Sequence, residues 1–364
     1  MPHIPFAEIR FFDPSETRVT LEDRFENHLR RLRGIPDLSE DSDDEVVAKA
    51  SALQGKTCAM SPAESRRIQR RVSRLLDRRN AASGLSHLKR EDRERIEVLK
   101  HGVQLVRIQT EHRADEIAAA LHAEAPWMVP ATEVVWQAMR RSVREGSSGL
   151  RLPPLLLDGP PGIGKSHWAR RLGQMLALPT TIVEATSESA SFGLVGSQRG
   201  WGNAHPGRLI ETVLDSLIAN PIIVIDEVEK AGTVTSAKGN TYSLADSLLP
   251  LLEPLTAQSW NCPYFNIRFD MSWISWVLTS NDYRRLPEPL LSRCPPIQLR
   301  NLTSEELAGF IQREARRRQL SQLAVETILD ALAHPSLRHH CPSLRLAARM
   351  LQRAADLENT PPLQ

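Results

Sequence analysis

Residues 159–166 read GPPGIGKS and satisfy the spacing G-x-x-x-x-G-K-[ST]. That pattern suits phosphate binding. The run Gly159, Pro160, Pro161, Gly162, Ile163 and Gly164 lets backbone N–H groups curl around a β-phosphate. The helix that starts here, through His167, adds a favourable dipole at its N-terminus. Lys165 neutralises β/γ oxygens, and the Ser166 hydroxyl is placed to ligate Mg²⁺. Farther on, NPIIVIDEVEK ends a four-residue apolar run, Ile222 to Ile225, with Asp226 and Glu227. Asp226 is expected to hold Mg²⁺ through water, and Glu227 to polarise the attacking water. A third run, WISWVLTSND, ends in Thr279, Ser280 and Asn281. If its strand neighbours the other two, Asn281 would orient the lytic water.

These residues need elements that bring them to one edge. Short apolar runs at 155–157, 181–183, 222–225 and 274–278 alternate with helical patterns, the signature of a parallel sheet covered by helices. Parallel α/β sheets place ligands at the C-terminal ends of their strands, where all three motifs fall. The expected fold is α/β: a P-loop domain with helices on both faces at 131–300, then a small all-helical lid at 301–364. Upstream, 1–61 carries prolines and the acidic run DLSEDSDDEVV and reads as a poorly ordered arm. Residues 62–130 read as a basic helical region, with Ser61, Pro62 and Glu64 marking a helix start. A Gly/Ser stretch at 146–149 marks a boundary close by.

With GPPGIGKS, IIVIDEVEK and VLTSN in this order, the chain resembles the AAA+ ATPases, and within them the ATPase module of Lon proteases. The closer likeness rests on GWGNAHPGRLIETV and on LLPLLEPLTAQSWNCPYFNIRFDMSWISWVLTSND, and it covers roughly residues 115–360. The resemblance makes Lys165 and Ser166 the Walker A pair, Asp226 and Glu227 the Walker B pair, and Asn281 the sensor 1 residue. It puts Arg293 of PEPLLSRCPPIQL at the arginine-finger position, reaching the γ-phosphate on a neighbouring subunit, and Arg345 of PSLRLAARML at the sensor 2 position. It makes Trp201 and Gly202 part of a pore loop. ATP with Mg²⁺, a homo-hexameric ring and a protein substrate are what the likeness implies, with a separate protease or adaptor as a further partner. Gly202 stands where Lon proteases carry an apolar residue, and the chain ends at Gln364 shortly after the lid, so no proteolysis by the chain itself is expected.

Bulk composition narrows the rest. The chain has 364 residues, 41% hydrophobic and 25% charged, with a formal net charge of +2, too mild to imply nucleic acid by itself. The arginines of ESRRIQRRVSRLLDRRN read either as a solvated helix face or as a contact for nucleic acid or an acidic protein. Two alternatives to the motor therefore stay open: a nucleic-acid-associated or loader-type ATPase, and a nucleotide-gated scaffold. Cys58, Cys262, Cys294 and Cys341 lie far apart without C-x-x-C spacing, which fits a reducing, cytoplasmic setting. No apolar stretch is long enough to cross a membrane. His334, His339, His340 and Cys341 cluster in sequence but lack zinc spacing, and read as a polar lid loop.

Overall fold

Apolar runs with no polar alternation must be covered on both faces, and the runs at 155–157, 222–225 and 275–278 are. The computed structural model describes residues 2–33, 60–186, 190–199, 204–235, 241–334 and 343–359. By its contacts the chain divides into two compact units, residues 8–94 and residues 1–7 with 95–364.

In the smaller unit, helix α1 (Arg18–Leu32) starts at Thr17, whose hydroxyl accepts from Thr20 N–H. Helix α2 (Pro62–Ala82) starts with a full capping box: the Ser61 hydroxyl accepts from Glu64 N–H, and Glu64 accepts from Ser61 N–H at 3.0 Å. The two helices meet through Arg71 over the Phe25 ring, and Arg79 of α2 pairs with Glu16 just before α1. The stretch read as a poorly ordered arm thus contains a capped helix, because its aromatic Phe25 finds a cover on α2. The acidic run lies outside the described residues.

In the larger unit, five strands form one parallel sheet: β1 (Leu155–Asp158), β2 (Thr180–Glu184), β3 (Ile222–Asp226), β4 (Ser275–Ser280) and β5 (Pro296–Gln298). Their order across the sheet is β5-β1-β4-β3-β2. Thr279 pairs with Leu157 and Val277 with both Leu155 and Val224, so β1, β3 and β4 end side by side. The edge strand β5 went unread because it is three residues long and begins with a proline, which an edge tolerates.

Helices α3 (Glu111–Glu124) and α4 (Val129–Arg144) precede the sheet, α5 (Lys165–Leu176) follows β1, and α6 (Arg208–Ser216) leads into β3. Ile117, Leu121, Val135 and Met139 share one hydrophobic core with Leu155, Leu157, Val224 and Val277. That core reaches back to Val106, so the unit begins well before residue 131, where sequence alone started the ATPase core. Asn220, fully buried, fixes this extension to the sheet: it donates to the Val106 and Leu150 carbonyls at 2.8 and 2.9 Å and accepts from Val106 N–H at 3.0 Å. The Gly/Ser stretch is closed down too, since a Cβ on Gly149 would lie 2.9 Å from Leu105. After β5 come α7 (Ser304–Arg317), α8 (Gln322–Ala333) and α9 (Leu344–Glu358), whose Ile311, Ile328 and Leu351 join the same core.

Candidate functional site

A glycine-rich turn links β1 to α5. Gly162 and Gly164 adopt φ of +81° and +89°, a region closed to ordinary side chains, and this lets the chain double back into the first turn of α5. Gly159 serves a different need: a Cβ there would sit 2.7 Å from the Leu299 carbonyl oxygen after β5. Ile163 points inward and is 1% exposed, and its carbonyl accepts from Trp127 Nε1 at 2.8 Å. The loop is therefore held from behind by the segment joining α3 to α4.

Lys165 lies inside the turn. Its Nζ donates to the Gly159 and Pro160 carbonyls at 2.6 and 3.1 Å and to Asn281 Oδ1 at 3.0 Å. Burial pulls the ammonium below its ordinary pKa, and the carboxylates of Asp158, Glu229, Asp226 and Glu227 oppose that shift. Ser166 Oγ donates to Asp226 Oδ1 at 2.6 Å, and Thr279 Oγ1 donates to the same oxygen at 2.5 Å. Thr279 also accepts from Glu227 N–H at 3.0 Å. That bond matters because Glu227 holds a left-handed backbone with φ of +55°, unusual for a non-glycine residue. Its carboxylate is engaged at both oxygens, by Lys230 Nζ at 2.8 Å and by Asn281 Nδ2 at 3.4 Å.

The residues singled out from the three motifs thus converge on the C-terminal ends of β1, β3 and β4. Lys165, Ser166, Asp226, Glu227, Thr279 and Asn281 line one cleft of about 520 Å³, together with Pro161, Gly162, Gly164, His167, Leu344 and Arg345, whereas Gly159, Pro160, Ile163 and Ser280 do not line it. The lid closes this cleft where Leu344 N–H donates to the Gly162 carbonyl at 3.0 Å. Arg345 is exposed at the rim and makes no ion pair among the described residues. Arg293 is not part of the cleft. It ends the helix Glu288–Arg293, donates to the Pro289 carbonyl at 2.9 Å and stands 3.9 Å from Glu253.

Two sets of residues at the site were not read from sequence. Glu229 sits two residues beyond Glu227, outside the cleft lining, and accepts from Asn281; its signal was the third acid of DEVEK. Phe310, Glu314, Arg317 and Arg318 reach the cleft from α7 and its C-cap. Their spacing of four, then three, then one marks a helix face, which no motif announces.

Trp201 and Gly202 lie outside the described residues, as do His339, His340 and Cys341. The stems flanking Trp201 are pinned: Ser197 N–H donates to the His205 carbonyl and His205 N–H to the Ser197 hydroxyl, both at 3.2 Å. Among the described residues no helix is long and apolar enough to cross a membrane, and no group of three His, Cys, Asp or Glu side chains could hold a metal. The Ser166 hydroxyl and Asp226 carboxylate nevertheless form the hard-oxygen pair that Mg²⁺ takes when it also binds a polyphosphate. The glycine turn and the lysine supply the matching cradle for that polyphosphate.

Residues 155–302 match the ATPase family associated with various cellular activities (AAA), a span that holds every cleft residue contributed by the sheet. The chain is also similar to the peroxisomal Lon protease homolog 2 of Zea mays, 30% identical over 186 residues, and of Pichia angusta, 33% over 197. These spans take in 51% and 52% of this chain and 20% and 21% of those proteins. The Lon protease of Mycoplasma mobile is 27% identical over 213 residues, 57% of this chain and 25% of its own. The chain spans about a fifth to a quarter of the length of the curated relatives it matches.

Proposed function

We propose that this chain, which carries an AAA domain of Lon-like sequence, is the ATPase subunit of a hexameric motor that remodels or unfolds a protein substrate. One observation carries the ATPase reading: Lys165, Ser166, Asp226, Glu227 and Asn281, from three neighbouring strand ends, are joined through Thr279 in a single hydrogen-bonded cluster at the mouth of a lidded cleft. Magnesium, held by Ser166 with Asp226 behind it, would supply charge neutralisation on the nucleotide's β and γ oxygens. The protein's own residues do the remainder. Lys165 leaves the Gly159 and Pro160 carbonyls for phosphate oxygens, a stronger charge-assisted partner. Glu227, released from Lys230, accepts a proton from water at a carboxylate oxygen, and Asn281 orients that water.

The ring reading draws support from Arg293. Held outside its own chain's cleft, with a guanidinium Nε that makes no hydrogen bond and only a 3.9 Å approach to Glu253, it suits a role toward the nucleotide of an adjacent copy. Transition-state charge is poorly compensated without such a residue, so turnover would require assembly. Trp201, between the hydrogen-bonded Ser197 and His205 in sequence, is assigned to grip the polypeptide, with an adaptor or separate protease as partner. The test is a trap: Glu227→Gln should bind ATP without turnover and assemble into a hexamer by light scattering, while Trp201→Ala should lose ATP-dependent unfolding of a tagged fluorescent protein. Normal turnover in Glu227→Gln removes the catalytic assignment, and a monomer under saturating ATP removes the ring. A nucleic-acid-associated reading keeps one observation in its favour. Arg67, Arg70, Arg74 and Arg78 share one face of α2 and make no ion pair among the described residues. Stimulation of turnover by DNA, lost steeply with salt, would favour it.

A further inference from the structure

Asn281 can act on water only if its amide faces one way, and a free amide rotates easily between two nearly isosteric orientations. Its neighbours specify which. Lys165 is a donor only, so it must meet Oδ1, and it does at 3.0 Å. Glu227 and Glu229, ionised, are acceptors only, so they must meet Nδ2. The three contacts differ in strength and in permanence. Glu227 is 3.4 Å from Nδ2, a weak bond, and its carboxylate is also the group assigned to take a proton. Lys165 is the side chain that a phosphate would claim. Glu229 alone is free of other duties: its Oε1 accepts from Asn281 Nδ2 at 2.9 Å and from Asn281 N–H at 3.1 Å. A single oxygen thus pins both the backbone and the amide plane of one residue. The other oxygen, Oε2, is buried with no hydrogen-bond partner, so the carboxylate is kept at an energetic cost and not for its own solvation.

We propose that Glu229 is the positioning residue for hydrolysis, fixing the Asn281 amide so that it keeps its orientation when Lys165 turns to phosphate. This rests on the ATPase reading above. Glu229 does not line the cleft, and its hydrogen bonds in this cluster are both to Asn281, through which it acts.

The contact is one acceptor taking two donors, so its chemistry can be kept or removed at constant size. Glu229→Met keeps the volume and removes the acceptor; Glu229→Gln keeps an acceptor oxygen and removes the charge. Steady-state ATP hydrolysis, the affinity for N-methylanthraniloyl-ADP and the melting temperature should be measured for both beside wild type and Glu227→Gln. The expected result for Glu229→Met is a fall in kcat of about tenfold or more, the scale of one lost hydrogen bond to a charged group, with KM and nucleotide affinity within about twofold. Glu229→Gln should recover at least about a third of wild-type kcat. A wild-type kcat in Glu229→Met overturns the proposal, as does a loss of nucleotide affinity in step with turnover, which would make Glu229 a structural part of the pocket. So does a Glu229→Gln variant as slow as Glu229→Met, since charge and not the acceptor would then be at work. Wild-type turnover no greater than that of Glu227→Gln would instead overturn the ATPase reading on which this rests.

Discussion

Replacing Thr279 by Val should separate two parts of the site that are bonded through one hydroxyl. Thr279 is 1% exposed, is the penultimate residue of the central strand β4, and uses Oγ1 twice, donating to Asp226 and accepting from Glu227 N–H. Valine has nearly the same shape, so packing is kept and both bonds go. The bond to the Asp226 carboxylate involves a charge and is worth about 1.5–3 kcal/mol; the bond from the Glu227 amide is worth about 0.5–1.5 kcal/mol. The sum is about 2–4 kcal/mol. It falls where the backbone is already strained, because Glu227 holds φ of +55° and loses the acceptor that secures it there. For a unit of this size about 1 kcal/mol moves the melting temperature by about 2–4 °C, so Thr279→Val should melt roughly 5–15 °C lower. Turnover should fall by about tenfold or more, because a displaced Glu227 misaligns its carboxylate. Thr279→Ser, which restores the hydroxyl, is the control and should recover most of both. Differential scanning calorimetry and a coupled ATPase assay measure the two effects. The reasoning is refuted if Thr279→Val melts within about 2 °C of wild type with normal turnover, or if Ser is as damaging as Val.

Asn220→Ala removes three buried bonds, two to Val106 before α3 and one to Leu150 before β1, and should cost about 2–4 kcal/mol in urea denaturation; a change under about 1 kcal/mol would mean the extension is held by its apolar packing alone. Burial pushes the Cys262 thiol to about 11 and the Cys294 thiol to about 12, so peptide mapping after iodoacetamide at about pH 8 should find both unlabelled in the native protein and labelled in urea. Because those folded values lie above the ordinary 9.0, the folded state holds its protons longer, and the associated stability should be full below about pH 9 and fall as pH rises toward about 11. Arg293→Ala should lose turnover yet be partly restored by mixing with Lys165→Ala subunits, since each supplies what the other lacks; no restoration in an intact assembly counts against action between subunits.

The parallel sheet and its motif-bearing ends were legible because burial on both faces forces unbroken apolar runs, and Ile222 to Ile225 could hardly be anything else. The cleft's sheet side was legible for a related reason: phosphate, magnesium and water each need a particular donor or acceptor at a fixed distance from a strand end. The lid side was not. Phe310, Glu314, Arg317 and Arg318 reach the cleft by helical geometry, and each looks like any amphipathic helix residue until the lid is placed over the turn. Glu229 was missed because its value lies in a bond to Asn281, 52 residues away in sequence. The reach of the larger unit's core before residue 131 was not legible, because Ile117 and Leu121 read as residues of an ordinary helix until that helix is packed against the sheet.

The segment joining α3 to α4 ties the working parts together. Arg171 of α5 makes a two-oxygen contact with the Glu124 carboxylate at 2.9 and 3.0 Å through Nε, while Arg313 of the lid donates to the Glu124 carbonyl at 2.7 Å. Trp127, three residues on, holds the Ile163 carbonyl within the glycine turn. The lid is therefore hydrogen-bonded at two points that a change of angle would strain, Leu344 to Gly162 and Arg313 to Glu124. Each is worth about 1 kcal/mol net. A ligand bound at micromolar affinity brings about 8 kcal/mol, several times their sum. Contacts that differ between ATP and ADP by only a quarter of that are enough to decide whether both lid bonds are kept. The same two bonds are strong enough to give the lid a defined position when the difference is absent. Beside these two bonds, Ile311, Ile328 and Leu351 share the sheet's apolar core, so the lid is seated by packing as well as by hydrogen bonds.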